Sequence, residues 1–216
     1  MAVLDDKQVG QLKEAFAALV NPVELVMFTQ EFECESCNVV SGLLEEIGAL
    51  SDKISVTVKD FVADAEEAAK YGVDKIPAIV VLGERDYGIR FFGVPGGYEF
   101  TTFIKDIIAV SKREHGLSEK ITAELKKVDK PVHLQVLVSP TCPYCPAAVG
   151  SAHALAMASD NIIADMVETS TFPHLVNKYN VKGVPHTVIN EKEGVVGAVP
   201  EVELVQKILQ TIKEDG

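Results

Sequence analysis

The sequence predicts an α/β fold made of two tandem copies of one unit, each a mixed β-sheet with flanking helices. Three observations predict it. Cys34-Glu35-Ser36-Cys37 and Cys142-Pro143-Tyr144-Cys145 each follow an apolar run of strand character and open a helical pattern. Ile76-Pro77 and Val184-Pro185 each head a further apolar run, and Cys142 follows Cys34 by the same 108 positions by which Pro185 follows Pro77. A shared offset at two unlike landmarks marks an internal repeat. Around these landmarks both halves run in the order α-β-α-β-α-β-β-α.

The elements follow from local pattern. Leu4 to Val20 reads as an amphipathic helix, with Val9, Leu12, Phe16, Leu19 and Val20 on one face. Asn21-Pro22 ends it and starts the apolar strand Val23 to Phe28. Glu24 in that strand reads as surface-facing; the alternative is a buried acid serving the thiols. A helix with the stripe Val39, Val40, Leu43, Leu44 and Ile47 follows the first cysteine pair. Ile54 to Val58 alternates and is β-branched, hence a strand. Ala63 to Tyr71 is a short helix closed by Gly72. Ala78 to Leu82 and Ile89 to Phe92 form a hairpin across the turn residues 83–88, and Phe100 to Lys112 is the closing helix.

A boundary near His115-Gly116 divides the chain into residues 1–116 and 117–216, each near the common domain size. Ser118 caps the helix 118–128, in which Ile121 and Leu125 form an apolar pair. The strand 131–138, the helix Ala147 to Met157, the strand Ile162 to Val167, the short helix Thr171 to Lys178, a hairpin from His186 and the helix Val202 to Ile212 complete the second copy. No low-complexity linker separates the copies, so they should pack closely.

Composition narrows the function. Against 20 Lys+Arg stand 32 Asp+Glu, a net charge of −12, and no basic stripe suits nucleic acid or an anionic membrane. No apolar run reaches spanning length, and the start lacks the basic and apolar regions of an export signal. The expected location is the cytoplasm. All four cysteines belong to the two C-x-x-C pairs, whereas a secreted scaffold would spread them to staple distant loops. Local pairs at strand-to-helix junctions point to redox chemistry. There the free N–H groups and positive end of the helix favour a thiolate on the first sulfur.

The cysteine pairs, their matched prolines and the element order resemble the thioredoxin fold, and Cys142-Pro143-Tyr144-Cys145 resembles a glutaredoxin motif. The whole duplicated chain is similar to the protein disulfide oxidoreductases of thermophiles, glutaredoxin-like relatives of protein disulfide isomerase. The resemblance implies cis bonds at Ile76-Pro77 and Val184-Pro185, with Ile76 and Val184 offering backbone to a substrate strand. It implies a cytoplasmic enzyme of protein disulfides, supplied by a separate thioredoxin-reductase-like flavoprotein. Thioredoxins carry a buried aspartate on the strand before the motif. Here Val136 occupies that region, with Gln135 and His133 as the nearby polar residues.

Cys142 and Cys34 are the expected nucleophiles, Cys145 and Cys37 the resolving partners, and Tyr144 a shaper of the substrate surface. Glu33 and Glu35 disfavour the Cys34 thiolate, while Cys142 has neutral neighbours and Pro143 suits a first helical turn. The 142–145 pair should therefore be the more oxidising and active. His186, next to Pro185, could tune the thiols; the other histidines read as surface or satisfied core. Neither a bound metal nor an organic cofactor is expected, the redox-active disulfides being the reactive groups. Other readings are a Cys₄ zinc site, a vestigial first pair, an electron-transfer module of a peroxidase system, and a redox-independent holdase.

Overall fold

The computed structural model describes residues 3–214. The outer limits of the two expected units, Met1 and Gly216, lie outside the described residues. The first half holds α1 (Asp6–Phe16), β1 (Val23–Thr29), α2 (Cys37–Gly48), β2 (Ile54–Asp60), α3 (Ala65–Lys70), β3 (Ala78–Leu82), β4 (Asp86–Phe92) and α4 (Glu99–Lys112). The second repeats the order with α5 (Glu119–Leu125), β5 (Val132–Val138), α6 (Cys145–Ala158), β6 (Ile162–Glu168), α7 (Pro173–Lys178), β7 (His186–Ile189), β8 (Glu193–Val196) and α8 (Glu201–Glu214).

The predicted pair of sheets is in fact one. Eight strands run β2-β1-β3-β4-β6-β5-β7-β8. The two copies meet where β4 pairs parallel with β6, from Ile89 opposite Ala164 to Phe92 opposite Val167. Gly88 makes this join possible. Its φ is +77°, and a Cβ there would lie 2.6 Å from the Ile162 carbonyl oxygen. Apart from Asp86, every residue of β4 is buried, as suits a strand at the centre of a sheet.

Alternate side chains along each strand feed two apolar layers. Leu25, Met27, Ile79, Phe91, Val136 and Met166 face the layer under α1, α2, α4, α5, α6 and α8, which runs unbroken through both halves. Val26, Phe28, Val80, Phe92, Leu137 and Val167 face the smaller layer that holds Ala68 of α3 and Leu175 of α7.

Two expected helix stripes are trimmed. The first helix begins at Asp6 because Asp5 and Gln8 form a reciprocal capping box. It stops at Phe16, so Leu19 reaches the core from a turn while Val20 is exposed. Val39 is also exposed, since α2 buries only Cys37, Val40, Leu43, Leu44 and Ile47.

The smaller layer carries a polar patch. Arg90, almost fully buried, donates to Asp86 at 2.5 and 2.8 Å and to the Tyr71 carbonyl at 2.9 Å. Burial would raise the Asp86 carboxyl, but the Arg90 guanidinium outweighs it and holds it low. His133 Nε2 lies 2.6 Å from Asp165, and Gln135 donates to the Tyr179 hydroxyl at 3.0 Å. Burial opposes the imidazolium of His133, yet the Asp165 carboxylate prevails and raises its pKa.

Candidate functional site

Each C-x-x-C lies where the chain leaves a strand and enters a helix, β1 into α2 and β5 into α6. Both pairs are disulfides, with Cα separations of 5.4 Å for Cys34–Cys37 and 5.5 Å for Cys142–Cys145. The helices start at the second cysteine of each pair, with Ser36 and Tyr144 at the N-cap positions. Cys34 and Cys142 therefore sit in the turn leading into the helix rather than in its first turn. Pro143 likewise precedes the N-cap, and Pro146 takes the first-turn place that the sequence suggested for Pro143. The turn at the first pair is closed by Cys37 N–H donating to the Cys34 carbonyl at 3.3 Å. The first N–H groups of an α-helix have no partner within it, and each outer cysteine lies in the turn that leads to them.

Inner and outer cysteines differ in cover. Cys145 is fully buried and Cys37 is 3% exposed, while Cys142 is 8% exposed and Cys34 is half-buried. Both Ile76-Pro77 and Val184-Pro185 are cis. The sulfur of Cys142 lies 3.7 Å from the Val184 carbonyl oxygen, which brings the residue before the proline against the outer cysteine. Tyr144 is 71% exposed beside it.

The first pair opens onto a cleft of about 530 Å³. Glu33, Cys34, Glu35, Ile76 and Pro77 of the first half line it together with Glu168, Ser170 and Thr171 of the second. The Glu168 carboxylate accepts from Thr171 at 2.5 Å, from Val94 N–H at 3.2 Å and from Ser170. The second pair also leans on the opposite half. Gly97, with φ +58°, sits so close to Pro140 that a Cβ would lie 2.2 Å from its carbonyl oxygen. Tyr98 N–H donates to the same oxygen at 3.2 Å, two residues before Cys142.

That contact brings in a residue with no signal in its own stretch of sequence. Glu99 follows Tyr98, opens α4, and is 1% exposed. Helix α4 packs on α6, the helix that Cys145 begins. Burial pushes the Glu99 carboxyl from 4.5 up to about 7, against the pull of Thr102 and His153. Thr102 interacts with it, but neither oxygen has a well-formed hydrogen bond among the described residues. Deeper between the same helices, His153 Nδ1 lies 2.6 Å from Asp106. In its own helix Glu99 reads as an ordinary first-turn acid, so only the second half's packing reveals it.

Other polar candidates turn away. Val136 faces the layer of α6, so Gln135 and His133, of the opposite parity that they share with Leu137, face the other side of the sheet. Glu24 shares parity with Val26 and Phe28, is half-buried, and accepts from Thr57 Oγ1 at 2.6 Å, on the face away from α2. His186 shares the face of Val188 and packs over Gly194; burial lowers its pKa. Glu24 and the 133–135 pair thus lie on the sheet face opposite the helices that carry the cysteine pairs.

Comparison with known proteins agrees with this geometry. A family model described as Thioredoxin domain matches residues 132–210. The chain is 25% identical over 206 residues to an NADH dehydrogenase of Bacillus subtilis, covering 95% of this chain and 38% of that protein. It is 26% identical over 206 residues to an alkyl hydroperoxide reductase component of Escherichia coli, covering 95% of this chain and 37% of that protein. The chain thus spans well under half the length of these relatives. Among solved structures, a protein disulfide oxidoreductase from Aeropyrum pernix aligns with a TM-score of 0.90 at 27% identity, over 97% of this chain and 94% of its own. The NTD_N/C domain of an alkylhydroperoxide reductase from Enterococcus faecalis aligns with a TM-score of 0.88 at 24% identity, over 95% and 99% of the two chains. The chain is a thioredoxin-fold protein with a C-x-x-C disulfide in each half.

Proposed function

We propose that this chain is a protein dithiol–disulfide oxidoreductase that reduces, forms or isomerises disulfides in other proteins. The observation that carries the reading is the pairing of each C-x-x-C disulfide with a cis-proline segment, closest where the Cys142 sulfur meets the Val184 carbonyl. In reduction, the Cys142 thiolate attacks one sulfur of the substrate disulfide. That bond breaks, a mixed disulfide forms, and the departing sulfur takes a proton. Cys145 then attacks the Cys142 sulfur and frees the second substrate thiol, so two electrons pass from the pair to the substrate. Oxidation runs the same path in reverse. Cys34 and Cys37 take the same roles at the first pair.

Val184-Pro185 and Ile76-Pro77 hold the substrate strand, and Tyr144 borders it. Glu99, buried on α4 where that helix packs on α6, holds or releases a proton near neutral pH. The enzyme works in the cytoplasm of a thermophile, needs no bound cofactor beyond its disulfides, and draws electrons from a separate thioredoxin-reductase-like flavoprotein. Residues 1–116 and 117–216 are its two repeated units.

Insulin reduction by the full chain tests the reading. Cys142→Ser should lose roughly tenfold or more of the rate and Cys34→Ser less; a larger loss from Cys34→Ser would reverse the ranking. A second reading is favoured by the similarity to the Escherichia coli alkyl hydroperoxide reductase component over 95% of this chain. Under it the chain carries electrons to a peroxidase. Insulin would then be a poor substrate at both pairs.

A further inference from the structure

We infer that the Cys34–Cys37 pair selects disulfides flanked by lysine or arginine, a preference the Cys142–Cys145 pair lacks. The inference rests on the oxidoreductase reading and concerns what the first pair accepts. Its cleft is about 530 Å³, large enough for a short peptide segment, and both halves of the chain build its walls. Glu33 and Glu35 flank the half-buried Cys34, are exposed, and line that cleft. Among the described residues neither has a hydrogen-bond or ion-pair partner, so both charges are open to a ligand. The largely buried Glu168 adds a third carboxylate to the cleft lining, held in place by Val94, Ser170 and Thr171.

The chemistry gives such a substrate two advantages. Its cations are drawn to the carboxylates, which raises the encounter rate. Once bound, a cation next to Cys34 offsets the two glutamates and favours the attacking thiolate. The acidic surroundings that weaken Cys34 alone therefore make it depend on a cationic partner. Cys142 has the uncharged sequence neighbours Thr141 and Pro143, with exposed Tyr144 and Tyr98 nearby. The exchange balances as above: the reduced pair gives two electrons and its two protons, and the peptide disulfide becomes two thiols.

Full-length Cys142→Ser/Cys145→Ser protein, reduced with dithiothreitol and desalted, is mixed with peptide disulfides flanked by lysine, serine or glutamate. Single-turnover exchange is followed by stopped flow. The lysine peptide should react about tenfold faster than the glutamate peptide at low salt. The ratio should fall towards one at ~1 M salt, where the screening length is ~3 Å. Adding Glu33→Gln/Glu35→Gln should collapse it at low salt as well. The Cys34→Ser/Cys37→Ser protein, with the second pair alone, should show a much smaller ratio. Equal ratios in the two single-pair proteins would assign any preference to the overall charge of −12 and overturn the inference. So would a ratio that survives the double glutamine change. Exchange with none of the peptides would overturn both this inference and the oxidoreductase reading of the first pair.

Discussion

Glu99 links a buried charge to pH. Its carboxyl ionises near 7 in the folded chain against an ordinary 4.5, because burial disfavours the anion. Between those values the folded chain holds a proton that the unfolded chain has released. Stability therefore falls as pH rises through that window, by roughly 2–3 kcal/mol from this group. Glu99→Gln should remove that share, so its urea midpoint should vary less between pH 5 and 7 than the parent's. His133, raised by Asp165, also loses its contribution as pH rises, but it does so in both proteins and cancels. Asp106 and His153 face Glu99 from α4 and α6 and are likewise common to both. Equal slopes would show that Glu99 does not titrate there. The cysteines and the two prolines were legible from spacing alone. Glu99 was not, because nothing in its own stretch shows that α6 will cover it.

Gly97 lets the turn before α4 approach Pro140, and its φ of +58° is one that side chains resist. Gly97→Ala must move either that turn or the Pro140 carbonyl, and should cost roughly 2 kcal/mol or more. Gly150, inside α6, has nothing within 4 Å of an added Cβ. Gly150→Ala should stabilise by about 1 kcal/mol. Urea unfolding of the two variants checks both signs; a neutral Gly97→Ala would mean that the contact with the second site is slack. At this scale local pattern served well. Ser118 caps α5 as expected, and β3 spans Ala78–Leu82 as the apolar run suggested. Helix periodicity over-extended the first helix, since it could not register the capping box at Asp5 or the end at Phe16.

Across the whole molecule, the duplication was readable and the joining of the copies was not. An offset of repeated landmarks reveals two units but says nothing of which strands meet. The junction depends on Gly88 admitting the Ile162 carbonyl and on β4 being buried on both faces, both of which look from sequence like features of a hairpin. The shared sheet has a consequence for the sites. Pro140 before Cys142 rests on Gly97 and Tyr98, and the cleft at Cys34 is walled by Glu168 to Thr171. Each redox pair is therefore completed by the opposite half of the chain.

If the outer cysteines exchange partners with other proteins, Cys142 more readily than Cys34, their thiolates must form at different pH. Alkylation of the fully reduced chain by iodoacetamide, followed by mass spectrometry at each cysteine from pH 4 to 10, reads both. Cys142 should ionise well below the free-cysteine value of about 8.5, and Cys34 above Cys142. Two outer cysteines that both titrate like free cysteine would contradict that exchange.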